Sequence, residues 1–255
     1  MISLRKSDLL CIIILGAMFI IGAYVFPIVD NAFPTYGNSA LIRLLSFLLL
    51  PLIALTFFLL FFLIPDVEVH KKNIAGFMRQ YTELKIAFML FFLFLFIAKI
   101  VSLFQPFALT LFALLFTALF LYYVGYLLKS FKRNYFIGII TPWTLASDIV
   151  WERTHKIGSF TFRLLPIVIL LGILIPGYIA ELVIIILIAN IIFFLLYSYA
   201  QWYQLTHEQR HVERAVVQEQ LLRRIAGKKE PDEPKKREQR VTTRKRVKRQ
   251  GKGKK

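Results

Sequence analysis

The chain contains a single cysteine, Cys11, set inside an apolar run, so no intrachain disulfide forms and the redox character of the compartment leaves no mark on the sequence. Acidic residues are scarce too, 15 Asp and Glu against 32 Lys and Arg. No succession of carboxylates crosses the apolar runs, which argues against a proton pump or an ion-coupled transporter, since either needs a polar path through lipid. There is no glycine-rich phosphate cradle, no serine or cysteine nucleophile motif and no cluster of paired carboxylates. These absences point away from an enzyme and give no reason to expect a cofactor.

Apolar residues are abundant: 58% of the chain is hydrophobic and 25 residues are Phe. They gather in blocks of about twenty instead of recurring at amphipathic spacing. A hydrocarbon core about 30 Å thick needs roughly 20 apolar residues per helix. Six segments qualify, 9–29, 41–64, 84–104, 107–128, 162–175 (a short one) and 178–200. The expected fold is therefore all-α: a polytopic membrane protein with a bundle of six transmembrane helices in 1–200, a helical extension in 201–227 and a disordered basic C-terminal tail in 228–255. Arg5 and Lys6 precede the first run as they would in a signal peptide. That run is too long and lacks a small-x-small cleavage site before Pro27, so it is expected to stay as a helix.

Orientation follows the cations. Lys71, Lys72, Arg79 and Lys85 lie between the second and third runs, and Lys129, Lys132, Arg133, Arg153, Lys156 and Arg163 between the fourth and fifth. The turns Gln105-Pro106 and Pro176-Gly177 carry no charge, and the first connection has only Arg43 at a helix edge. Both termini are expected in the cytoplasm of a cell-membrane protein. The largest external piece is "DNAFPTYGNSA" at 30–40, whose Pro, Gly and Asn mark turn chemistry with no room for a folded domain.

From Lys228 onward there are 14 Lys and Arg against 4 Asp and Glu, with almost no apolar content. Such a segment cannot bury enough to fold. The tail suits anionic lipid headgroups, at about 1 kcal/mol per nearby cation. Nucleic acid is the poorer partner, because no aromatic residue is present there to stack on bases. Of the ionisable groups in the spans, Arg43, Lys99 and Glu181 fall near the outer ends of their helices, where Lys99 can snorkel or pair with Glu181.

"RNYFIGIITPWTLASDIVWERTHK", 133–156, resembles neither neighbouring run. "NYFIGIIT" is too short to span, is broken by Gly138 and ends at Thr141-Pro142, which biases the residue before the proline towards extended backbone. The remainder reads as an interfacial amphipathic helix feeding the fifth span: Ser147 is an N-cap, Asp148 occupies the first turn, and Val150, Thr154 and Ile157 share a face beside Trp151 and His155. Two readings remain open. Trp143 and Trp151 are belt anchors with His155 a solvated edge residue, or Arg133, Asn134, Gly138, Thr141, Pro142, Trp143, Trp151 and His155 form a cytoplasmic surface that binds a partner.

On the residues "RNYFIGI", "TPWTL", "VW" and "THKIG" within 133–158, the sequence resembles the SdpI family of multi-pass membrane proteins. "LLPLIALTFFLLFFLIPDVEVHKKNI", 49–74, is similar to the N-terminal half of such proteins, and the likeness runs from about Tyr36 to Ala200. Ile140 stands where the family often has Arg, and 30–40 lacks the His-containing segment of many members. The resemblance implies immunity to a secreted peptide toxin, signal transduction through a cytoplasmic protein partner such as a repressor, or both. One motif competes. "HEQRH" fits H-E-x-x-H, and a helix would set His207 and His211 on one face with Glu208 beside them, as a zinc hydrolase requires. Its neighbours Gln209, Arg210, Glu213 and Arg214 describe a solvated helix; Glu219 lies two or more turns away, and nothing in the sequence points to Asp148 or His155 of the loops as a third ligand. A membrane zinc metallopeptidase and a transporter are thus the alternatives to an SdpI-like protein.

Overall fold

The computed structural model describes residues 5–32, 40–171 and 179–225. The expected turn at Pro176-Gly177, most of the external loop at 30–40 and the tail from Lys228 lie outside them, as does the side chain of Arg43. Among the described residues eight helices follow in chain order: α1 Lys6–Ala32, α2 Ala40–Val67, α3 Lys71–Gly76, α4 Met78–Ser102, α5 Pro106–Leu128, α6 Pro142–Ala146, α7 Asp148–Leu171 and α8 Ile179–Ile225. No strand occurs among the described residues. Six helices, α1, α2, α4, α5, α7 and α8, are long and apolar enough to cross a membrane. Large apolar side chains also point outward, Ile20 and Leu119 being more than half exposed. In water this surface would aggregate; in lipid it is solvated, and the backbone polar groups are satisfied within each helix. The chain is a multi-pass membrane protein.

The chain divides into two units, Met1–Trp202 and Tyr203–Lys255, with α8 contributing to both. In the first unit, α1, α2 and α4 pack around Cys11, Met18, Phe47, Phe58, Met89 and Phe96. A second cluster closes the end of the bundle where α4 begins and α5 stops, built from Phe61, Ile74, Phe77, Tyr81, Phe131, Ile137 and Trp151. Helices α5 and α7 approach closely at Gly125, where a Cβ would lie 2.9 Å from the Phe162 Cβ and 3.0 Å from the Arg163 backbone N. A small residue at such a crossing lets two membrane helices come together.

Two expectations change in detail. The amphipathic stretch and the short fifth span are one continuous helix, α7, because nothing between Asp148 and Leu171 ends it. Its buried residues include the polar Thr154, His155 and Ser159 beside Val150, Trp151, Leu165 and Ile169, and its mean hydropathy of 1.3 is the lowest of the six. Lys85, counted above as a loop cation, belongs to α4, which starts seven residues earlier at Met78. It is buried against Asp8 of α1, with Ser7 Oγ also accepting from its ammonium at 3.1 Å. The ammonium of Lys99 lies 5.8 Å above the centre of the Phe47 ring.

Candidate functional site

Between α5 and α6 the chain runs from Lys129 to Thr141 without regular structure, and its backbone polar groups must find partners elsewhere. Asn134 supplies four of them. It is fully buried; its Oδ1 accepts from the N–H groups of Phe136 (2.9 Å) and Ile137 (2.7 Å), and its Nδ2 donates to the carbonyls of Lys132 and Ile137 (both 2.9 Å). Every hydrogen-bonding site of that amide is used for folding the loop.

The connector after α2 holds the loop from one side. Glu68, fully buried, accepts from the N–H of Tyr135 (2.9 Å) with one oxygen and from the N–H of His70 (2.8 Å) with the other. Asn73 Nδ2 donates to the Arg133 carbonyl at 2.8 Å, and the His70 and Tyr135 rings lie 5.2 Å apart. Arg133 reaches forward, donating from a terminal guanidinium nitrogen to the Leu145 carbonyl (2.8 Å) and pairing through Nε with Asp148 (2.9 Å).

Helix α7 holds it from the other side. Trp151 Nε1 donates to the Phe131 carbonyl at 2.8 Å. His155 Nε2 accepts from the Ile139 N–H at 3.0 Å, and its Nδ1 is 2.8 Å from the Trp151 carbonyl. Because a backbone N–H only donates, Nε2 is the bare nitrogen and Nδ1 carries the proton, so the imidazole is neutral. Gly138 makes the approach possible: its φ is +124°, and a Cβ there would sit 2.3 Å from His155 Nε2.

The Thr-Pro pair then starts α6. Thr141 caps it, its hydroxyl accepting from the Thr144 N–H (3.1 Å) while Thr144 Oγ1 accepts from the Thr141 N–H (2.8 Å), a reciprocal capping box with Pro142 in the first turn. The Thr141 hydroxyl also donates to Ser198 Oγ of α8 at 3.0 Å. Trp143, half-buried, meets Tyr199 edge to face at 5.2 Å. Ser147 ends α6 and caps α7, its Oγ accepting from the Val150 N–H at 3.4 Å.

All eight residues singled out from the sequence thus meet in one structure, but with different jobs. Trp151 and His155 are 2% and 1% exposed, so neither an interfacial anchor nor a contact surface describes them; they are internal clamps. The large apolar groups of the loop that face outward are Tyr135, Phe136 and Ile140, each more than two-fifths exposed, and Pro142 is exposed as well. Sequence reasoning missed Glu68, Asn73, Thr144 and Ser198. The T-x-x-T spacing at 141–144 was a readable signal for Thr144, and the second of the two carboxylates in "PDVEVHKK" a weaker one for Glu68.

In α8, the His207 and His211 rings lie 6.4 Å apart on an exposed stretch. Among the described residues no group of three His, Cys, Asp or Glu side chains is placed to hold a metal ion, so Glu208 and its neighbours do not complete a set with them. In the loop site, the polar side-chain atoms of Asn134, Trp151 and His155 are engaged with backbone groups. What the arrangement offers is a rigid platform with an apolar outer side.

Residues 130–198 match the family model of the SdpI/YfhL protein family. The match covers the loop, α6, α7 and α8 as far as Ser198, the residue that receives the Thr141 hydroxyl; residues 36–129, where a likeness was also expected, lie before it. No curated protein and no solved structure matches the chain.

Proposed function

We propose that the protein is a non-enzymatic, SdpI-like membrane protein that gives immunity to a secreted peptide toxin, signals through a cytoplasmic protein partner such as a repressor, or does both. The observation that carries the reading is that the family match falls on the stretch where buried Asn134, Trp151, His155 and Thr141 hold an irregular loop in one shape. A loop stabilised at that expense of polar groups has a shape to present. Its contact face is the outer set Tyr135, Phe136 and Ile140, with basic Lys132 beside them; Trp151 and His155 keep that face in place. In this reading the protein sits in the cell membrane with both termini and the loop in the cytoplasm, where the cation excess of the loop connections favours them.

Two measurements test it. Tyr135→Cys should react with a membrane-impermeant maleimide only after cells are opened, since the native Cys11 is buried and silent; labelling of intact cells would put the face in the wrong compartment. Cells expressing a Tyr135→Ser, Phe136→Ser variant at wild-type membrane levels should lose tolerance to a secreted membrane-active peptide, or capture of the partner, that wild type provides. Full retention of both would remove the case for this face.

A further inference from the structure

A cleft of about 370 Å³ opens between α4 and α5, away from the loop platform. Its floor is aromatic: Phe91 stacks on Phe120 (centroids 4.5 Å, 19° between planes) and Phe94 on Phe116 (4.4 Å, 7°). Ala87 is the smallest side chain lining it, and Leu119 on its rim is 62% exposed, so the cleft opens on the side that lipid solvates. From Glu83 at one end to Phe94 at the other, the helical rise gives a length of roughly 16 Å. That is about half of a hydrocarbon core of about 30 Å, the depth of one leaflet.

The mouth differs chemically from the floor. The Glu83 carboxylate accepts from Arg79 Nε at 2.9 Å and from the Tyr123 hydroxyl at 3.4 Å. Arg79 is largely exposed and Glu83 partly so, which leaves a cation and an anion one helical turn apart at the headgroup level. A headgroup bearing both a phosphate and an ammonium satisfies this pair, phosphate on the guanidinium and ammonium on the carboxylate. A purely anionic headgroup can place its phosphate on Arg79 but brings no ammonium to the Glu83 carboxylate beside it. A partner's transmembrane helix, or that of a second copy, would need contact along roughly twice the cleft's length.

We infer that this cleft binds one acyl chain of an amine-bearing zwitterionic phospholipid from the leaflet bordering the loop, with the headgroup held by Arg79 and Glu83. The test is native mass spectrometry of the full chain in detergent, titrated with phosphatidylethanolamine and phosphatidylglycerol of identical chains. The expected result is a single phosphatidylethanolamine adduct, retained about tenfold better than phosphatidylglycerol. Ala87→Trp should fill the cleft and remove the adduct. Glu83→Gln, which keeps the shape, should retain lipid while losing the preference between headgroups. Equal retention of the two lipids by wild type overturns the inference whatever the variants do. Unchanged retention by a folded Ala87→Trp protein, or a dimer peak in place of the lipid adduct, overturns it as well.

Discussion

The Trp151 indole lies almost flat on the His155 imidazole, ring centroids 4.0 Å apart and planes 18° from parallel, with both rings buried. Each ring donates or accepts one hydrogen bond that fixes a different part of the loop, Phe131 for the indole and Ile139 for the imidazole. The stack makes the two clamps a single object carried on consecutive turns of α7.

Removing the acceptor at Ile139 should therefore loosen the loop locally. His155→Ala leaves the Ile139 N–H without a partner, a loss of about 1–3 kcal/mol. Hydrogen exchange should become faster at Ile139 and its neighbours, while amides in α1 and α2 stay protected. Unchanged protection at Ile139 would mean the bond contributes nothing.

Gly138→Ala should be among the most damaging single substitutions in the loop. Strained backbone alone costs about 1–3 kcal/mol, and the new methyl meets His155 Nε2 as well. A thermal-unfolding series in detergent should show a lower Tm for Gly138→Ala. The same change should cost less in a His155→Ala background, with a coupling of about 0.5–3 kcal/mol. Strict additivity would show that the collision does not occur.

The Glu68 carboxylate holds two backbone N–H groups, one of them in a loop far along the chain. Glu68→Ala should speed exchange at both His70 and Tyr135, by about tenfold for each 1.4 kcal/mol lost. Glu68→Gln, which retains one carbonyl oxygen, should affect only one of the two strongly. Membrane insertion should be unaffected in either variant, as judged by resistance to carbonate extraction.

At the start of α4, Lys85→Met leaves the Asp8 carboxylate buried without its cation. Breaking a buried pair on one side costs about 3–5 kcal/mol, whereas replacing both members is often close to neutral. The Tm of the single variant should fall well below that of Asp8→Asn combined with Lys85→Met. A double variant as unstable as the single would show that something other than the orphaned charge is lost.

How much of this was legible in the sequence depends on the range of the interaction involved. Six apolar runs sufficed for six spanning helices, because the requirement to satisfy every backbone group inside lipid acts locally, window by window. The Ser147 cap and the helix carrying Trp151 and His155 were readable for the same reason, since caps and periodicity involve neighbours three or four residues apart. Whether Trp151 and His155 faced outward or inward was not readable: that choice rests on the Phe131 carbonyl and the Ile139 N–H, 20 and 16 residues upstream. Glu68 and Tyr135 are 67 residues apart and Lys85 and Asp8 77, and nothing local marks either pair. By itself the sequence determined which segments dissolve in lipid and where helices start. Only the tertiary structure decided which polar groups those helices hide, because a buried donor needs an acceptor in space and takes it from wherever the chain brings one.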